Sequence, residues 1–380
     1  MFDRPTVLGA LRRFLPEFLK TGPPLSPQQR RAIRAITHCR TAALGGRAFA
    51  CDCDCGQRHF AYHSCNHKAC PQCGALTTRR WVQRELSKLV NAPYFLVTFT
   101  LPAELRSCFF GPLAKEAYDL FFTAVSRALS QKLAEDKALR AFLSGFTAVL
   151  HTWNQLLQFH PHIHCLVPGA GLDLHGNYVR VKNHAFLVYL DHLQNAFRQH
   201  FYHLFKEHGW QVDPAVWTKT WGVHIQPAGS GAPAVKYLGT YVARTAIHDS
   251  RILALTDSSV TFRWKDRSDH NQWKTKTLPG VEFISRYFRH VLPHGLRSVR
   301  YYGFCHPTAK PKRLRVQLHS GRTVHFGASD LGPAPAPTCS APLCPKCGRA
   351  MQLIGSLRPS HKTRGPPPRR VPVHSTPLAV

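Results

Sequence analysis

Residues 160–170 read HPHIHCLVPGA, and the rest of the chain is understood from this run. It is apolar and partly β-branched, as a buried strand is. Side chains alternate across a strand, so His160, His162 and His164 share one face while Ile163 and Cys165 turn toward a core. Two neutral imidazoles separated by one hydrophobe form a pattern that grips a single divalent cation. A third ligand has to come from elsewhere. His151 and Gln155, on or just after a strand-like run over 145–154, and His160 itself are the candidates. A lone histidine is usually structural, but three in alternate positions beside an apolar strand point to metal. Zinc can use such ligands, and Mg2+ or Mn2+ can when phosphate and water complete the shell.

On either side, strands and helices are mixed. Residues 94–101, YFLVTFTL, form an apolar run closed by Pro102 and predict a strand. Leu113, Ala117, Leu120, Phe121, Ala124 and Leu129 recur at helical spacing and predict a helix over 112–143. Further helices are expected over 77–91 and near 186–208, 234–247 and 280–291. A strand is expected at 221–227, and a β-hairpin from VTFRWKD (260–266) and QWKTKTL (272–278). Residues 1–45 read as two helical pieces, the second starting at Ser26-Pro27, and place Arg30, Arg31 and Arg34 beside an apolar stripe. These arginines are candidates for phosphate contact.

In the helix expected at 234–247, Tyr237 and Tyr241 stand four residues apart, which puts them on one face about 5–6 Å apart at Cβ. Lys236 and Arg244 flank them. Tyrosine is a weak nucleophile at its usual pKa near 10. A divalent ion that polarises a phosphodiester and stabilises its leaving 3′ oxygen, with basic side chains balancing charge, makes it competent. Attack leaves a 5′-phosphotyrosine and a free 3′-OH. No Walker A loop is present.

The chain carries 13 cysteines. Cys51, Cys53, Cys55, Cys65, Cys70 and Cys73 lie close together, with Cys70-x-x-Cys73 as a knuckle. Spaced among polar residues, they predict a structural zinc ion, the choice of four ligands being open. Cys344-x-x-Cys347, with Cys339 nearby and His325 in reserve, resembles half of a second zinc ribbon. Thiolates on metal, not a disulfide framework, suit a chain of this length with no secretory leader pattern.

Lys and Arg number 50 against 20 Asp and Glu, a net charge of +30. So positive a surface attracts polyanions, and DNA is the partner expected. A hydrophobic fraction of 44% excludes a wholly disordered chain. No apolar run reaches the roughly 18 residues of a membrane span. The expectation is a soluble protein that stays where it is made.

HPHIHC (160–165), YLGTY (237–241), HTWNQ (151–155), VTFRWKD (260–266), PYFLVTFTLP (93–102) and AYHSCNHKACPQC (61–73) together resemble the two-tyrosine HUH transposases of rolling-circle insertion sequences, the insertion sequence 91 group. The resemblance runs from about residue 25 to 305. It implies an α/β (α+β) fold, an HUH endonuclease-type domain with a central antiparallel sheet flanked by helices, behind a small N-terminal zinc-binding module. It puts His162 and His164 on the metal pair and Tyr237 and Tyr241 on the nucleophile positions. The expected division is 1–90, helical and Cys-rich and contacting DNA; 91–305, catalytic; 306–355, basic with a half zinc knuckle; and 356–380, a disordered Pro/Arg-rich tail. The function expected is that of an insertion-sequence transposase cleaving and joining single-stranded DNA, with structural Zn2+ and catalytic Mg2+ or Mn2+. The resemblance also implies the bacterial cytoplasm, with nucleoid association, and leaves the oligomeric state open. The alternative is a zinc-stabilised DNA-binding regulator without catalysis, which leaves the alternating histidines and paired tyrosines unexplained.

Overall fold

The structure is a computed structural model that describes residues 5–53, 55–137, 139–242, 246–322 and 341–360. Arg244, His325, Cys339, most of the expected 331–343 linker and most of the expected tail lie outside the described residues, and so does the side chain of Tyr241. The chain forms two compact units, Met1–Thr37 with Asn66–Thr338 and His38–Cys65 with Cys339–Val380.

In chain order the elements are α1 (Val7–Thr21), α2 (Pro27–His38), β1 (Gly46–Ala50), β2 (Arg58–Tyr62), α3 (Ala75–Lys88), β3 (Tyr94–Thr100) and α4 (Ala114–Glu135). Next come β4 (Gly145–Trp153), β5 (Phe159–Pro168), β6 (Ala170–Leu172), β7 (Tyr178–Arg180), α5 (Leu190–Glu207), β8 (Gly222–Pro227) and α6 (Ala232–Val242). The chain continues with β9 (Ile252–Leu255), β10 (Ser259–Asp266), β11 (Gln272–Pro279), α7 (Gly280–Arg289), β12 (Val299–Gly303), α8 (Lys310–His319) and β13 (Gln352–Leu357). The helix expected over 112–143 stops at Glu135. There the Asp136 carboxylate accepts the Leu139 amide at 2.8 Å and turns the chain toward β4, a local side-chain bond that competes with the helix.

The larger unit is built on a five-stranded sheet in the order β12-β4-β5-β3-β8, antiparallel throughout. Its central strands are covered on both faces and are accordingly near-continuously apolar. On one face Phe95, Val97, Phe99, Phe146, Ile163 and Cys165 pack with Phe121, Phe122 and Leu129 of α4 and Phe197, Phe201 and Phe205 of α5. On the other, Tyr94, Val149 and Leu166 pack with Trp81 of α3 and Val235 and Leu238 of α6. The protein is thus a mixed α/β structure with a central antiparallel sheet between helices, as expected.

A second sheet in the order β9-β10-β11 contains the expected hairpin. Phe262 of β10 packs on Phe283 of α7, and Phe288 of α7 stacks on Phe18 of α1. In the smaller unit, β13 joins β1 and β2 in a three-stranded antiparallel sheet, Gly46 lying opposite Leu357. Among the described residues no helix is long and apolar enough to cross a membrane.

Candidate metal centre and tyrosine site

Strand register assembles the histidines. His151 of β4 lies opposite His162 of β5, and Thr98 of β3 lies opposite His164. All of them belong to the face that α3 and α6 cover. One ring nitrogen each from His151, His162 and His164 lies within 4.8 Å of the others. The ring centroids stand 5.1 Å (151–162), 4.5 Å (151–164) and 4.9 Å (162–164) apart. Burial holds His151 and His164 well below the usual imidazole pKa, and neighbouring imidazoles and the Arg267 charge add to it. Burial likewise brings His162 down to about 4. All three are neutral at neutral pH, which is the form that binds metal.

Hydrogen bonding sets which nitrogens are available. His162 Nδ1 lies 2.7 Å from the His160 carbonyl oxygen. A carbonyl only accepts, so Nδ1 carries the proton and Nε2 the lone pair. His164 Nδ1 lies 2.8 Å from Thr98 Oγ1. Such a bond on one ring nitrogen orients the imidazole and leaves the other nitrogen for a cation. The donor set therefore fits a divalent ion. His160 stands apart from it: Arg106 Nη2 donates to its Nδ1 at 3.0 Å, which takes up that lone pair. Gln155 lines the same cavity outside the three-nitrogen group, and its backbone carbonyl accepts from Arg251.

Tyr237 projects from α6 so that its ring centroid lies 6.1 Å from that of His164, nearly edge-on at 82°. Gly239 makes this placement feasible. A Cβ there would stand 2.3 Å from Val82 Cγ2 of α3, so only glycine lets α6 come so close. The backbone of Tyr241 continues α6 one turn on. His151, His162, His164 and Tyr237 share a cavity of about 920 Å³.

Trp264, Lys265 and Trp273 of the second sheet, with Arg251 just before β9 and Arg267 just after β10, also line this cavity. Nothing local in the sequence marks these residues as a site, although Trp264 and Lys265 fall within the VTFRWKD motif. Thr98 was also missed, although a threonine at an alternate position in an otherwise apolar strand was a readable sign. Trp273 is 54% exposed, and the Arg263 guanidinium lies 4.9 Å from its ring centroid. Of the basic residues expected to meet DNA, Arg30, Arg31 and Arg34 are exposed on α2 and Lys236 on α6, none of them lining this cavity.

The cysteines divide between the units. Cys70 and Cys73 precede α3 in the larger unit, the Cys73 amide donating to the Cys70 carbonyl at 3.2 Å. In the smaller unit the Cys65 amide lies 3.4 Å from Cys39 Sγ. There the sulfurs of Cys51, Cys55, Cys344 and Cys347 lie within 4.8 Å of one another, with Cys53 beside them. Backbone amides of Cys347 and Lys346 pull the Cys344 thiol down to about 6.

A family model described as "Putative transposase" matches residues 145–313, and one described as "Transposase zinc-binding domain" matches residues 10–101. The chain is 37% identical over 321 residues to a protein of Sinorhizobium fredii named "Putative transposase y4qJ", a match spanning 79% of this chain and 80% of that one. It is 26% identical over 290 residues to the "Transposase for insertion sequence element IS801" of Pseudomonas savastanoi pv. phaseolicola, spanning 72% and 69%. Among solved structures, the conjugative relaxase TrwC in complex with a 27-mer DNA aligns with 30% of this chain and 45% of its own, at 17% identity and a TM-score of 0.26. The chain belongs to the insertion sequence 91 family of transposases and carries that family's zinc-binding domain in its N-terminal part.

Proposed function

We propose that this transposase cleaves and rejoins single-stranded DNA in the rolling-circle manner of HUH enzymes, with Tyr237 and Tyr241 as attacking groups and His151, His162 and His164 as the ligands of a divalent cation. The observation that carries this reading is the Tyr237 ring standing 6.1 Å from His164 at a common cavity. A cation bound there supplies Lewis acidity toward a phosphate oxygen and the departing 3′ oxygen. Imidazole donors favour Mn2+ over Mg2+.

The chain's own residues do the rest. The phenol oxygen of tyrosine attacks phosphorus, a P–O bond to tyrosine forms and the P–O3′ bond breaks. The phenol loses one proton and the 3′ oxygen takes one up. One phosphodiester replaces another, so no nucleotide cofactor is consumed. Two tyrosines on one helix let one strand be held while a second is cut. Arg251, Lys265 and Arg267 offer positive charge to the backbone, and exposed Trp273 offers a face for a base. Arg30, Arg31, Arg34, Lys236 and Arg244 are proposed as further backbone contacts.

The test uses a 3′-labelled single strand carrying an end of the element, incubated with Mn2+ or Mg2+ and run on a denaturing gel. A covalent adduct should form with the native protein and vanish in Tyr237→Phe/Tyr241→Phe, which should still bind DNA. Clean binding without cleavage in either metal would instead support a non-catalytic regulator. An adduct persisting in the double variant would refute the tyrosine assignment.

A further inference from the structure

We propose that one structural zinc ion is held by Cys51, Cys55, Cys344 and Cys347, so that the smaller unit is closed by ligands from two segments nearly 300 residues apart. The inference concerns how this unit is held together and does not depend on the catalytic reading. It extends past residues 10–101, because half of the ligand set lies near the C-terminus.

Two turns face one another. The first follows β1 and runs from Cys51 to Gln57, whose carbonyl accepts the Cys51 amide at 3.0 Å. The second is bracketed by the Leu343–Ala350 bridge, with the Cys344 amide donating to the Arg349 carbonyl at 2.8 Å and the Gly348 amide to the Cys344 carbonyl at 2.8 Å. Each turn places a glycine in the left-handed region directly after its last cysteine, Gly56 at φ 66° and Gly348 at φ 71°. A Cβ at either would meet nothing within 4 Å, so the need for glycine there is conformational. Each turn gives two thiols to the group of four, Cys51 and Cys55 from the first and Cys344 and Cys347 from the second, as the two knuckles of a zinc ribbon do.

The sulfur separations match one ion. Four sulfurs about 2.3 Å from a tetrahedral zinc stand about 3.8 Å from one another. Across the turns, Cys51 and Cys347 are 3.3 Å apart and Cys55 and Cys344 are 3.6 Å apart. Cys53 is 3.1 Å from Cys51 and 3.4 Å from Cys347, but it falls outside the group of four that converges. The unit also needs such a tie. Among the described residues it has a buried apolar cluster of Phe49, Cys344 and Met351, with Cys51 and Cys55 packed against it. A core of that size does not hold a small unit without metal or cross-links.

Zinc content of the full-length protein, purified under reducing conditions, tests the proposal. Cys344→Ser/Cys347→Ser should lose one equivalent relative to the native chain. Cys347→His, which keeps a tetrahedral donor, should retain it, and so should Cys53→Ser. Thiol alkylation mapped by mass spectrometry covers the case in which the double variant does not fold. In the native protein Cys51, Cys55, Cys344 and Cys347 should be protected, and each should become reactive when zinc is chelated. Full zinc retention in the double variant, or Cys344 and Cys347 reacting freely before chelation, would overturn the assignment, as would a disulfide between the two turns in the reduced protein.

Discussion

Replacing Gly239 by alanine probes whether the α3–α6 contact sets the chemistry. The added carbon would stand 2.3 Å from Val82 Cγ2, whereas carbons in contact sit about 3.5–4.0 Å apart. Val82 has little room to yield, because a β-branched side chain on a helix keeps essentially one rotamer. Its neighbour Trp81, 3.6 Å from the same position, is tied by its Nε1–H to Tyr301 Oη at 2.9 Å. Helix α6 must therefore retreat by about 1 Å or more. Overpacking of this kind costs about 1–3 kcal/mol, and alanine returns about 0.8–1.0 kcal/mol of helix propensity. Stability should fall by at most about 2 kcal/mol, a few degrees in melting temperature. Activity should suffer more, since a 1 Å misplacement of a reacting group can cost about 10²-fold. Adduct formation and thermal unfolding, measured on Gly239→Ala alone and combined with Val82→Ala, read both quantities. The second change opens the space and should restore most of the adduct rate, a coupling expected of residues in contact. Native adduct rates in Gly239→Ala, or failure of Val82→Ala to restore a lost rate, would refute the reasoning.

Other expectations follow from the same geometry. Thr98→Val removes the hydroxyl that orients His164, so the metal concentration for half-maximal cleavage should rise about 10–100-fold with little change at saturation; an unchanged metal titration would remove that role from Thr98. Trp273→Ala should weaken single-strand binding by about 1–3 kcal/mol, measured by fluorescence anisotropy, and equal affinities would exclude stacking there. With 6–10 phosphate contacts, binding should drop about 10³–10⁵-fold between 50 and 200 mM salt, and a flat salt profile would contradict an electrostatic interface. His290 gives a pH prediction. Burial depresses its pKa to about 4, and the neutral ring donates from Nε2 to the Leu157 carbonyl and accepts at Nδ1 from Thr152. The unfolded chain binds that proton near pH 6.5, so the contribution of about 3 kcal/mol is complete above pH 6.5 and is lost as pH falls toward 4. Denaturant titrations at pH 7 and pH 4.5 check this, and equal midpoints would refute it.

Particular residues show where sequence sufficed. Alternation in HPHIHC puts His162 and His164 on one face whatever the tertiary structure, because the side-chain period of a strand is fixed. Sequence alone leaves His160, in that run, and His151, on the preceding strand, both open as the third ligand. The choice of His151 for the three-nitrogen group comes from β4–β5 pairing, which sets His151 against His162, while Arg106, more than fifty residues away in sequence, occupies His160. Arg251, Lys265 and Arg267 carry no local mark of a site. They line the cavity because a second sheet, paired through its own register, packs there. The strand β12 also escaped notice, being a short, half-buried edge without clean alternation.

Composition and local periodicity by themselves determined that the chain is strongly basic, that most helices and the strands β3, β4, β5, β8, β10 and β11 lie where they do, and that paired histidines, paired tyrosines and clustered thiols are available. Those properties depend on residues within one or two turns of each other. Tertiary structure alone decided which imidazole completes the trio, how near Tyr237 comes to it, and that Cys51 and Cys55 meet Cys344 and Cys347. The reason is that strand register and helix packing are fixed by burial summed over distant segments, and no local window of sequence contains that sum.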